Sequence, residues 1–188
     1  MEVNLSPFLR GLNDVMADRE LALEEQELRQ VMMEFQQRMM AKQREMRQKE
    51  AEENLAAGEA FLQENSTKEG VSVLPSGLQY KVLKEGTGAI PTATDRVKTN
   101  YRGTLIDGEE FDSSYDRGQP AEFAVTGVIA GWTEALQLMK EGARWQLFVP
   151  GNLAYGARGR PPRIAPNATL IFEIELIEIL EQEVETGT

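Results

Sequence analysis

Tyr101-Arg-Gly-Thr-Leu-Ile-Asp107-Gly-Glu-Glu-Phe111-Asp112-Ser-Ser is the stretch on which the reading of this chain turns. Leu105 and Ile106 run into Asp107-Gly108, a dipeptide that favours the positive-φ turns joining antiparallel strands. An aromatic and a carboxylate, Phe111-Asp112, follow the turn, then two small hydroxyl residues. The stretch predicts a strand, a tight turn and a second strand. Further short strand-like runs flank it, separated by Gly and Pro: Leu78–Leu83, Val97–Ile106, Glu122–Val125, Arg144–Val149 and Thr169–Ile179. In the last of these Phe172, Ile174 and Leu176 alternate with Glu173 and Glu175, which predicts a strand with one buried and one wet face. Trp132 to Met139 has helical spacing and stops at Gly142. Strands, one short helix and more strands imply an α+β domain whose antiparallel sheet packs on a helix.

Upstream of Gly70 the composition is different. Ser6-Pro7 reads as a hydroxyl N-cap with proline at the first helical position. Phe8, Leu12, Val15 and Met16 then form one apolar stripe on a short helix. From Glu24 to Glu64 no Pro interrupts the chain and Gly58 is the only Gly. Such a helix would run about 60 Å at 1.5 Å per residue. Leu28, Met32, Phe35 and Met39, with Val31 and Met40 beside them, have the spacing of an interhelical seam. Met32, Met33, Met39 and Met40 also offer a surface that repacks easily around a client. The middle, Ala41 to Asn54, is polar nearly all round and would be held by propensity and pairs such as Glu45–Lys49. A helix polar on every side bridges bodies across solvent, so this part reads as a stalk. Leu55, Phe61 and Leu62 bring apolar residues back before a stop near Asn65-Ser66-Thr67 and a loop at 68–70. The division expected is a helical region over 1–70, a domain over 71–181, and a frayed tail over 182–188.

Composition excludes several kinds of chemistry. The 188 residues carry 31 acidic and 20 basic side chains, a net charge of −11. Residues 1–74 alone hold 15 acidic against 9 basic groups, so both parts are acidic. Broad electrostatic capture of nucleic acid or anionic lipid is not expected. With no Cys and no His, thiolate nucleophiles, Ser-His triads, disulfides and the usual zinc ligands are all absent. No cofactor is expected. No apolar run approaches the ~20 residues of a membrane span, and Met1 to Pro7 lacks the pattern of a signal peptide. Asn65-Ser66-Thr67 and Asn167-Ala168-Thr169 match the glycosylation triplet, a pattern frequent by chance.

Three clusters far apart in sequence join the opening stretch. They are Val128-Ile129-Ala-Gly131-Trp132, Val149-Pro-Gly-Asn-Leu-Ala-Tyr155-Gly156, and Ala168-Thr-Leu-Ile-Phe172. In order and spacing, across about residues 75–180, these resemble the motifs of the FKBP-type peptidyl-prolyl cis-trans isomerases. Gly-Glu-Ala-Phe-Leu at 58–62 and Leu74-Pro-Ser-Gly-Leu-Gln-Tyr80 resemble the macrophage infectivity potentiator (Mip) branch of that family. The resemblance implies an antiparallel sheet wrapped around a short helix, preceded by helices that form a homodimer and a long stalk helix. Members of that branch carry further helix before the point where this chain begins, so the chain looks N-terminally shortened.

Residue by residue, the resemblance implies a pocket walled by Tyr101, Phe111, Phe123 and Phe172. Trp132 would form its floor, and Val128 and Ile129 one rim. The Ile129 backbone N–H and the Tyr155 hydroxyl would hold substrate carbonyls. Asp112 would be the carboxylate of the site, oriented by Arg117, with Ile164 reaching in from the loop over the pocket. Ala121 stands where many relatives place an aromatic, which would open that side. The loop from Ala157 to Pro166, with its Arg and Pro residues, could steer acidic clients or be a solvated rigid loop. The implied function is isomerisation of Xaa-Pro bonds in protein folding, with chaperone-like holding of clients. The alternative is a module that binds Pro-containing peptides without turnover. Implied partners are unfolded or partly folded proteins and macrolides such as rapamycin. The implied place is the periplasm or envelope of a Gram-negative bacterium, with the cytoplasm as the alternative.

Overall fold

The computed structural model describes residues 25–180 together with Gly11, Met16 and Ala17, and the side-chain environments from Arg29 onward. The expected N-terminal stripe of Phe8, Leu12 and Val15, the Leu28 side chain and the tail over 182–188 lie outside these. The helix α1 spans Glu25–Asn65, 41 residues. The strands are β1 (Val71–Val73), β2 (Gln79–Lys84), β3 (Arg96–Leu105), β4 (Glu110–Ser113) and β5 (Ala121–Ala124). After them come the helix α2 (Ala130–Leu136), β6 (Arg144–Val149) and β7 (Leu170–Leu180). Among the described residues no helix is long and apolar enough to cross a membrane.

The chain divides into two compact units, Met1–Met46 and Arg47–Thr188, and the division falls inside α1. It comes well before residue 70, where the composition changes. In the first unit Val31, Met32, Met33, Phe35, Met39 and Met40 are all exposed.

All strand pairs of the second unit are antiparallel, in the order β1-β2-β6-β7-β3-β4. β4 and β5 share one edge of β3: β5 pairs with Arg96–Thr99 and β4 with Arg102–Thr104. The turn from β3 to β4 is closed by the Gly108 amide donating to the Leu105 carbonyl at 3.1 Å, with Gly108 at φ 91°. A residue with no Cβ meets that backbone at no steric cost. Alternation then decides the faces. Val97, Thr99, Tyr101 and Gly103 of β3 are buried, as are Leu170, Phe172, Ile174 and Leu176 of β7. Against this layer lies α2, which buries Gly131, Trp132, Ala135 and Leu136. The Thr133 hydroxyl donates to the Val125 carbonyl at 2.8 Å and fixes how the helix leaves β5.

The end of α1 is not a free stalk. Its residues from Arg47 on belong to the second unit, and several side chains tie them there by hydrogen bonds. Arg47 donates to the Arg158 carbonyl (2.6 Å), Asn54 to the Pro166 carbonyl (2.9 Å), and Asn167 to the Ala51 carbonyl (3.2 Å). Asn65 is buried and donates to the Gln79 side chain at 2.9 Å, while Gln79 donates to the Leu62 carbonyl at 2.8 Å. The Phe61 ring lies 6.0 Å from Phe148 on β6. Gly58 marks a close approach: a Cβ there would stand 2.2 Å from the Thr169 hydroxyl oxygen. The sequence pattern counted apolar surface, so side chains that dock through backbone carbonyls were read as solvated.

Candidate functional site

A cavity of about 340 Å³ opens where β3, β4, β5, α2 and β7 meet. Trp132, in the first turn of α2, lies at the centre of its aromatic lining. The rings of Tyr101, Phe123 and Phe172 stand 5.1, 5.7 and 5.1 Å from it, at 82°, 90° and 83°. Phe111 meets Phe172 edge-on at 5.5 Å and 89°. Edge-to-face contacts suit the ring quadrupoles and fix each ring against its neighbours. The Phe111–Phe172 pair sits over Gly103, where a Cβ would come within 2.6 Å of Phe111 Cζ and 2.8 Å of Phe172 Cε1. Val128, Ile129, Tyr155, Gly127 and Arg160 complete the lining with Asp112. The Trp132 indole nitrogen is buried and has no hydrogen-bond partner among the described residues. Among the described residues no acceptor takes the Ile129 backbone N–H.

Asp112, Tyr101 and Arg117 form a closed triangle at one wall. The Tyr101 hydroxyl donates to one Asp112 oxygen at 2.6 Å, and Arg117 donates to the other at 2.5 Å. The second Arg117 nitrogen donates to the Tyr101 hydroxyl at 2.8 Å, with the guanidinium 5.3 Å above the Tyr101 ring. β3 and β4 supply the first two residues, and the segment between β4 and β5 swings Arg117 back over them. Burial pushes the Asp112 carboxyl up, but the Tyr101 hydroxyl and the Arg117 guanidinium outweigh it, so the net direction is down. Burial, together with the hydrogen bond to Asp112, pushes the Tyr101 phenol up against the opposing pull of Arg117. The carboxylate is thus ionised and paired, and the tyrosine neutral with its hydroxyl donor already engaged.

Of the residues expected at a site, Tyr101, Phe111, Asp112, Phe123, Val128, Ile129, Trp132, Tyr155 and Phe172 line this one cavity. Arg117 reaches it through Asp112 and itself lines a second groove, of about 530 Å³, with Glu109, Glu110, Asp116 and Arg163. Ile164 is buried in the core and is not part of the lining. Ala121 is half-buried and packs on the core. Two arginines of the 157–166 loop are held rather than free. Arg163 donates to the Phe111 carbonyl at 2.6 Å, and Arg160 donates to the Tyr155 hydroxyl at 3.4 Å with its guanidinium 5.9 Å from that ring. Arg160 was not singled out from sequence; its place five residues past Tyr155, on a loop returning to the pocket, was the available signal.

The sequence profile of the FKBP-type peptidyl-prolyl cis-trans isomerases matches residues 88–177. A second, for the domain amino-terminal to such isomerases, matches residues 1–82. The chain is 49% identical to the outer membrane protein MIP of Legionella longbeachae over 179 residues, which cover 95% of this chain and 77% of that protein. It is 44% identical to the probable FKBP-type isomerase FkpA of Neisseria meningitidis, across 95% of this chain and 65% of that one. The crystal structure of FkpA from Escherichia coli superposes with a TM-score of 0.83 at 38% identity, covering 95% of this chain and 83% of that one.

Proposed function

This chain belongs to the FKBP-type peptidyl-prolyl cis-trans isomerase family, and from that premise we propose that the Trp132 cavity is where it catalyses rotation about Xaa-Pro bonds. The observation that carries the reading is a cavity walled by edge-to-face rings whose only carboxylate is already neutralised by Arg117. Rotation about a peptide bond must break amide resonance, a barrier of ~18–20 kcal/mol. Before proline the cis and trans forms lie close in energy, so the barrier is the whole problem. The twisted amide has lost part of the charge separation of the planar one. A cavity walled by rings stabilises it relative to the planar form, provided no unpaired carboxylate rewards the latter. Pairing Asp112 with Arg117, and using up the Tyr101 proton, keeps that wall from doing so.

In this reading Trp132 is the floor on which the proline ring rests, and Phe111, Phe123 and Phe172 are its walls. The Ile129 N–H and the Tyr155 hydroxyl are donors for the carbonyls of the flanking chain. Val128 lines the rim, and Ile164 acts from behind by filling the base of the loop that carries Arg160. No covalent intermediate or proton relay is required, which suits a chain without His or Cys. The test is the cis-to-trans rate of a short Xaa-Pro peptide with and without the protein. Asp112→Ala should lower kcat/KM about tenfold, ~1.4 kcal/mol of transition-state stabilisation. No acceleration by the unaltered protein would reduce the cavity to a binding site.

We further propose that clients are unfolded or partly folded proteins, and that macrolides of the rapamycin type compete for the cavity. The methionines and Phe35 on α1 are suited both to holding clients and to joining a second copy of this chain. A place in the Gram-negative envelope fits the Legionella relative, which is named an outer membrane protein. Inhibition of peptide turnover by rapamycin, and cell fractionation, test these points.

A further inference from the structure

Two charged side chains line the cavity, and only one is paired. Asp112 is committed to Arg117; among the described residues Arg160 forms no ion pair. Its backbone is fixed: its N–H donates to the Ile164 carbonyl at 2.8 Å, and the Ile164 N–H donates back at 3.1 Å. Ile164 is buried, so Arg160 is rooted on a core residue while its head stays exposed at the cavity mouth. One guanidinium N–H goes to the Tyr155 hydroxyl oxygen, and the ring lies beneath the guanidinium. A guanidinium has five N–H donors in a fork that matches a carboxylate, so most of its capacity is open. The nearby carboxylates Glu109, Glu110 and Asp116 line the separate groove, where Glu110 is taken by Arg102 at 2.7 Å.

We infer that Arg160 is a specificity-determining residue that favours client segments with an Asp or Glu side chain beside the isomerised proline. The inference rests on the isomerase reading above and names its substrate class. The same contact has a second effect. By donating to the Tyr155 oxygen, Arg160 leaves the Tyr155 proton as the group that faces a substrate carbonyl, so the cation also positions Tyr155.

The test is kcat/KM for two sets of short capped peptides, with Ala, Glu or Lys placed in turn just before or just after the proline. The unaltered protein should favour Glu over Lys by about two- to fivefold at one of these positions, the range expected of a partly exposed ion pair. The ratio should persist in Arg160→Lys, fall to about one in Arg160→Met and invert in Arg160→Glu. Taking the ratio within each variant removes any general loss that comes through Tyr155. Equal ratios in the unaltered protein and Arg160→Met, with Ala peptides still turned over, would overturn the inference alone. Failure to accelerate any peptide, the Ala set included, would overturn the isomerase reading and this inference with it.

Discussion

Tyr101 and Tyr155 both line the cavity, yet their hydroxyls are in opposite states. Tyr101 donates its hydroxyl hydrogen bond to Asp112 and accepts from Arg117; Tyr155 accepts from Arg160 and keeps its own donor free to offer. Tyr155→Phe should therefore cost more in kcat/KM than Tyr101→Phe, a comparison that steady-state kinetics on one peptide decides. The same triangle sets a pH dependence. Asp112 is depressed in the folded state, so its contribution to stability is complete above the ordinary carboxylate range near ~4 and is lost as pH falls through the lower folded value. The gap in urea midpoint between the unaltered protein and Asp112→Asn should stay level from about pH 5 to 8 and close in stronger acid. Tyr101 works in the other sense: raised when folded, it contributes below ~10 and is lost as pH climbs through its folded value. Beneath the rings, Gly103→Ala would push a methyl group into Phe111 and Phe172. Overpacking of this kind costs about 1–3 kcal/mol. Chemical denaturation should register that loss, with KM raised as the two rings separate.

The C-terminal end of α1 is held by a few sites whose disruption can be ranked. Gly58→Ala would gain up to ~1 kcal/mol of helix propensity, but its methyl group meets buried Thr169 at 2.2 Å. The clash is the larger effect, so the substitution should destabilise, and adding Thr169→Ala should recover much of the loss in a double-mutant cycle. Asn65→Ala strands the buried Gln79 side chain and should cost about 1–3 kcal/mol by urea titration. These contacts also mark where sequence reading stopped. β7 was legible because Phe172, Ile174 and Leu176 alternate with glutamates, and β6 because Arg144–Val149 is bounded by turn residues. β1, three residues long, carries too little pattern to be seen. The aromatic residues of the cavity came from motifs in register, whereas Arg47, Asn54 and Asn167 bind carbonyls that no periodicity records. Gly58 was noted as the only glycine of its helix; nothing local says that a threonine 111 residues later requires it.

Across the whole molecule, the exposed side chains Met32, Phe35 and Met39 are poised for a partner surface. Light scattering should give twice the chain mass, and Met32→Glu with Phe35→Glu should return it to one; a single-chain mass at all concentrations removes the dimer. The chain has only two tryptophans, and the fold separates them. Trp132 is the floor of the cavity, while Trp145 on β6 is stacked on Tyr80 at 4.3 Å and 9°. Among the described residues neither buried indole nitrogen has a hydrogen-bond partner. The protein thus carries its own pair of fluorophores, one lining the cavity and one stacked against the sheet. With Trp145→Phe, emission of the folded protein should follow occupancy of the cavity, and with Trp132→Phe it should report melting and not occupancy.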